Sequence, residues 1–118
     1  MPERKPSAIL EDILTCIEHI QSYTSELSFE QFSSHFMTVE ACLYNLQVIG
    51  EAVSVLPQDI KEEHTEIQWA AIKGMRNRLI HEYFGTDLQL VCSVIQDGLP
   101  ELKIKLQELS AFLLERNK

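Results

Sequence analysis

Apolar residues return every three or four positions from the start of the chain. Ile9, Leu10, Ile13, Leu14, Ile17 and Ile20 form one such set, with Glu11, Asp12, Glu18 and Gln21 on the opposite side. This spacing predicts an amphipathic helix over about residues 7–24. Residues 25–28 break the pattern, and Ser28 is suited to cap a short helix with Phe29 and Phe32 turned inward. Val39, Cys42, Leu43, Leu46, Ile49, Val53 and Leu56 predict a second long helix over about 38–56, capped by Thr38 and ended by Pro57. Gly50 falls in its middle, where it costs about 1 kcal/mol against alanine, so close helix packing is expected there. Residues 58–66 are polar and acidic and predict an exposed connection with at most a turn of helix. Trp69, Ile72, Met75, Leu79 and Ile80 then give a helical segment over 67–84, with Gly85 as its stop. Asp87 opens the last helix as an N-cap or first-turn acid. Its stripe runs through Leu88, Val91, Ile95, Leu99, Leu102, Leu106, Leu109 and Leu113, and Pro100 is expected to kink or divide it after Leu99.

These segments predict an all-α fold, an antiparallel bundle of four to five helices in one domain spanning 1–118. A chain of 118 residues with 45% apolar content can bury a core without disulfides or metals. The long leucine-rich final stripe suggests a surface that continues into a second copy, so a homodimer is expected. Cys16, Cys42 and Cys92 are an odd number and form no C-x-x-C, which predicts reduced, buried thiols in a cytoplasmic protein. The opening residues show no signal peptide, and no apolar run is long enough to cross a membrane.

Charge changes the picture. The net charge is −8, which argues against a protein that coats nucleic acid. Residues 6–60 hold eight acids and no Lys or Arg, whereas Lys73, Arg76 and Arg78 stand together with no acid until Glu82. Contact with RNA or a nucleotide is therefore expected to be local, through Lys73, Asn77 and Arg78 around the segment 73–81, and to weaken with salt. The acidic faces suit a basic protein partner equally well.

The same segment carries candidate chemistry. His81 can move a proton near neutral pH, and the arginines beside it favour its neutral, basic form. Arg76 and Arg78 can hold a phosphate with a planar fork. A histidine and an arginine are sufficient to cleave RNA without a metal, because the 2′-hydroxyl supplies the nucleophile. The plainer alternative is that Arg76 and His81 are surface residues and that Tyr83 is a half-buried aromatic with a wet hydroxyl. Arg76 and Tyr83 share a helical face, but Arg76 and His81 lie about 140° apart on a regular helix. They can meet only if the helix breaks or if two copies face each other across a two-fold axis. His19, His35 and His64 have no metal-ligand spacing to one another or to cysteine, so no metal site is expected. Glu62 and Glu63 fit a solvated face. Glu51 either pairs with Arg76 or Arg78 or is simply exposed.

Arg76, His81 and Tyr83 fill the pattern Arg-x4-His-x-Tyr, which resembles the motif of the HEPN superfamily and, more narrowly, of its HepT branch. Asn77 matches the polar residue that follows the motif arginine. Trp69 to Asn77 resembles the approach to the motif, Ala41 to Leu56 the second long helix, and Asp87, Val91, Ile95, Leu99-Pro100 and Leu102 the final helix. The likeness covers about residues 7–113. It implies a dimeric HEPN bundle and a metal-independent endoribonuclease without a cofactor. Arg76 and His81 would be the catalytic residues of the toxin in a type VII-like toxin–antitoxin pair. It also implies a partner, an MntA-type nucleotidyltransferase antitoxin, which would silence the toxin by AMPylation of Tyr83. The competing reading is a non-catalytic helical module that binds a nucleotide or docks such a nucleotidyltransferase.

Overall fold

The computed structural model describes residues 4–81 and 87–116, and for residues 79–81 the backbone alone. Helix α1 spans Pro6–Thr24, with proline at its start, where the missing N–H has no partner to lose. Helix α2 spans Phe29–Ser33. Ser28 caps it as expected: Gln31 N–H donates to Ser28 Oγ at 3.1 Å, and Ser28 N–H donates to Gln31 Oε1 at 2.9 Å. Helix α3 spans Phe36–Val55, and its N-cap is His35 in place of the expected Thr38. The ring nitrogen Nδ1 of His35 accepts from Thr38 N–H at 3.3 Å. The imidazole thus does what a hydroxyl would do one turn later, and Thr38 sits inside the first turn.

The acidic connection is more ordered than its composition suggests. Gln58–Glu63 forms helix α4, and its Ile60 is buried. Lys61 Nζ donates to Val53 O at 3.2 Å, tying α4 back to the end of α3. Helix α5 spans Trp69–His81. Gly85, expected to end it, lies outside the described residues. Asp87 caps helix α6, Leu88–Ser93, by accepting from Gln89 and Leu90 N–H.

The last helix changes type just before Pro100, beside the position where a kink or division is expected. The residues before it, Val94–Gly98, form a π-helical turn that leads directly into helix α7, Leu99–Arg116. Proline lacks an N–H, and its ring presses on the carbonyl four residues earlier. A wider turn, with Leu99 N–H bonded to Val94 O, relieves that pressure just upstream. The chain stays helical, and Ile95 and Leu99 both remain buried.

Described residues form no strand, which bears out the all-α reading. Helix α3 packs on α1 and α5, and α7 packs on α1. Lys103 Nζ reaches Gln21 Oε1 near the end of α1, while Leu114 shares a shallow groove with Glu11 near its start, so α1 and α7 run antiparallel. Leu10, Ile13, Ile17 and Ile20 from α1 meet Cys42, Leu46 and Ile49 from α3 and Leu106 from α7 in one core. The final stripe is used there too: Val91, Ile95, Leu99, Leu106, Leu109 and Leu113 are all buried within the chain itself. Most of that stripe is therefore spent within the chain. Burial pushes the Cys42 thiol up to about 11 and raises that of Cys16, with Asp12 adding to the effect. Both thiols are neutral at physiological pH and behave as small apolar core residues. Cys92 is half-buried and also free of any disulfide.

Candidate functional site

Helix α5 is fixed at its start by two anchors. Ile67 is buried immediately before it, and Trp69 Nε1 donates to His64 O at 3.0 Å. Trp69, Ile72 and Met75 then pack against the core at helical spacing. The inward face is thus apolar until Arg76, where α5 meets α3. Lys73, Asn77 and Arg78 are exposed, and Arg76 is half-buried. No acid occurs anywhere in Trp69–His81.

Arg76 differs from several of the basic residues elsewhere. Arg4 pairs with Asp12, Lys105 with Glu101, and Arg116 with Glu63. Arg76, by contrast, has a buried Nε without a hydrogen-bond partner, and its guanidinium forms no ion pair among the described residues. Glu51, the acid considered as a partner for Arg76 or Arg78, is exposed and forms no ion pair among the described residues. A half-buried guanidinium that no described acid neutralises can accept an anion from outside, because its removal from water is offset only by a partner.

The backbone answers the question left by the helical wheel in part. Helix α5 is unbroken from Arg76 to His81, so positions 76 and 81 stand about 140° apart around one regular helix. The side chain of His81 and the whole of Tyr83 lie outside the described residues. Among the described residues, no three His, Cys, Asp or Glu side chains gather as a metal site. His35 is used as a helix cap, His19 stacks on Tyr23, and His64 Nδ1 lies 3.4 Å from Glu66. No described helix is long and apolar enough to cross a membrane.

Two features were not legible beforehand. The first is an apolar groove of about 740 Å³ between α3, α5 and the α6–α7 rod, walled by Leu46, Ile72, Met75, Val91 and Leu99 and edged by Arg78 and Lys105. It arises from how α5 and the α6–α7 rod diverge, which periodicity does not encode. The second is the role of the two mid-helix glycines. At Gly74 an added Cβ would meet nothing within 4 Å, whereas at Gly50 it would collide with Arg76. Gly74→Ala is therefore expected to raise stability by about 1 kcal/mol, or roughly 4–8 °C in Tm, as followed by circular dichroism on heating.

The sequence model of the family described as "Ribonuclease HepT-like" matches residues 13–109. A Thermococcus cleftensis protein named "Probable ribonuclease HepT" is 38% identical over 107 residues, covering 91% of this chain and 97% of its own length. A Methanocaldococcus jannaschii protein named "Putative RNase MJ0125" is 35% identical over 116 residues, 98% of this chain and 100% of its own. No solved structure matches the chain. With the motif helix, the bundle around it and the match over most of the sequence in agreement, the chain belongs to the ribonuclease HepT-like family.

Proposed function

We propose that this protein is a metal-independent endoribonuclease and the toxin of a type VII-like toxin–antitoxin pair. The observation that carries the reading is Arg76: a half-buried guanidinium whose Nε has no hydrogen-bond partner and that no described acid pairs, on a basic helix free of acids. In the reaction, the ribose 2′-oxygen attacks phosphorus and the 5′-oxygen leaves, giving a 2′,3′-cyclic phosphate. His81 moves the proton to or from oxygen. Arg76 stabilises the charge that develops on the phosphoryl oxygens. Lys73, Asn77 and Arg78, exposed along the same helix, hold the flanking phosphates.

Because positions 76 and 81 face different ways on an unbroken helix, the complete site is shared by two copies of the chain across a two-fold axis near α5. The support for a dimer thus rests on α5 and no longer on the final leucine stripe. Silencing is assigned to Tyr83. An MntA-type nucleotidyltransferase antitoxin transfers AMP from ATP, so the Tyr83 oxygen bonds to the α-phosphorus while pyrophosphate and the phenolic proton leave. The protein acts in the cytoplasm, where RNA and ATP are found.

The apolar groove favours a second reading, a non-catalytic module that seats a nucleobase or an apolar face of its partner, with Arg78 at the rim for a phosphate. One experiment separates the two. Purified protein is incubated with RNA in excess EDTA, and its mass is followed by sedimentation at micromolar concentration. Cleavage to cyclic-phosphate ends by a dimer is expected. An intact substrate under all conditions supports the module, cleavage abolished by EDTA removes the metal-free mechanism, and an active monomer removes the shared site.

A further inference from the structure

The tightest contact between α3 and α5 lies at a missing side chain. Gly50 is buried in the middle of α3. A Cβ built on it would stand 2.3 Å from Arg76 Cβ and 2.5 Å from Arg76 Cγ. Non-bonded carbons rest at about 3.5–4.0 Å. The obstructing atoms are not the flexible end of the arginine. Its Cβ is fixed to the α5 backbone, so room at position 50 can be made only by moving the helix.

The outer part of the side chain has no comparable restraint. Arg76 Nε is buried without a hydrogen-bond partner, and no described acid holds the guanidinium. In most buried arginines, carboxylates and carbonyls fix the direction of the fork. Here the root of the side chain, pressed into the space at Gly50, is what fixes it. An acid in that role would neutralise the charge that an incoming phosphate requires; a steric seat does not.

We infer that Gly50 is the positioning residue for Arg76: by omitting its Cβ, it sets where the guanidinium stands for the phosphate. This rests on the reading of Arg76 as a phosphate-binding group. The contact differs from ordinary packing of two helices, because a purely structural glycine would affect stability without governing the state of one arginine. A displacement of about 1 Å at a catalytic group can lower a rate by about 10²-fold.

Three variants of the full chain test the inference: Gly50→Ala, Arg76→Ala, and Gly50→Ala combined with Arg76→Gly. The Arg76 Nε–Hε signal in ¹⁵N-labelled protein is assigned by its loss in Arg76→Ala. It is expected to exchange slowly in the parent protein and to shift to the position and exchange rate of exposed arginines in Gly50→Ala. RNA cleavage in Gly50→Ala should fall by about 10²-fold, in kcat more than in KM. The double variant removes both obstructing carbons, so it should regain the parent Tm while remaining inactive. It also serves if Gly50→Ala alone fails to fold. A folded Gly50→Ala with an unmoved Arg76 signal and undiminished cleavage would overturn the inference, as would a double variant whose Tm does not recover. Full cleavage by Arg76→Ala would instead remove the catalytic role of Arg76, while the Nε–Hε signal would still show whether Gly50 seats the side chain.

Discussion

His81→Ala is expected to lower RNA cleavage by about 10²-fold or more, the usual scale for losing a general acid or base. The expectation follows from the chemistry available on α5. Of the residue types between Lys73 and Tyr83, histidine alone ordinarily exchanges a proton near neutral pH, since free lysine and tyrosine titrate at about 10, free glutamate at about 4, and arginine is ordinarily always charged. Arg76→Ala is expected to fall at least as far, because a preorganised cation that meets charge developing on a phosphoryl oxygen contributes on the order of 10²–10³-fold. The two losses are not additive: once the proton cannot move, stabilising the transition state gains little, so His81→Ala/Arg76→Ala should be close to the worse single variant. Cleavage by each variant of a labelled RNA in EDTA, with folding checked by circular dichroism, gives the comparison. A His81→Ala protein that is folded and cleaves at the parent rate removes histidine from the mechanism.

Tyr83→Phe is expected to abolish AMP incorporation while keeping much of the nuclease activity. The phenol, with a pKa near 10, is a poor base at neutral pH, so its loss leaves the proton transfer intact. Its oxygen is nevertheless an adequate acceptor when a nucleotidyltransferase positions ATP against it. Position 83 is seven residues from Arg76 and shares its face if the helical register continues. An adenylyl group there would set its own phosphate against the arginine and its base where RNA lies. Intact-mass measurement after incubation with the antitoxin and ATP reads this directly. An adduct that persists in Tyr83→Phe places the modification on another residue, and this account of silencing is then lost.

What the sequence determined by itself was the set of helices and the placing of the candidate site residues on one of them. Periodicity places α1, α2, α3, α5 and the α6–α7 rod within a few residues of their observed bounds, because burial of an amphipathic face depends on spacing that is written along the chain. The isolation of Lys73, Arg76 and Arg78 on one acid-free helix is likewise a property of residue order. Local competition between neighbours was harder to read. His35 takes the cap because its ring nitrogen accepts from Thr38 N–H and so starts the helix one turn before Thr38, and a π-turn precedes Pro100 where a kink or division was expected. Only the tertiary structure decided which surfaces are spent. Most of the final leucine stripe is buried in the core of the chain itself. Gly50 announced close packing, but not against what. That its neighbour is the motif arginine, 26 positions on in the sequence and with Nε unpartnered, depends on the approach of α3 to α5. A helix contact of this kind joins residues distant in the chain, and no local pattern of polar and apolar positions encodes it.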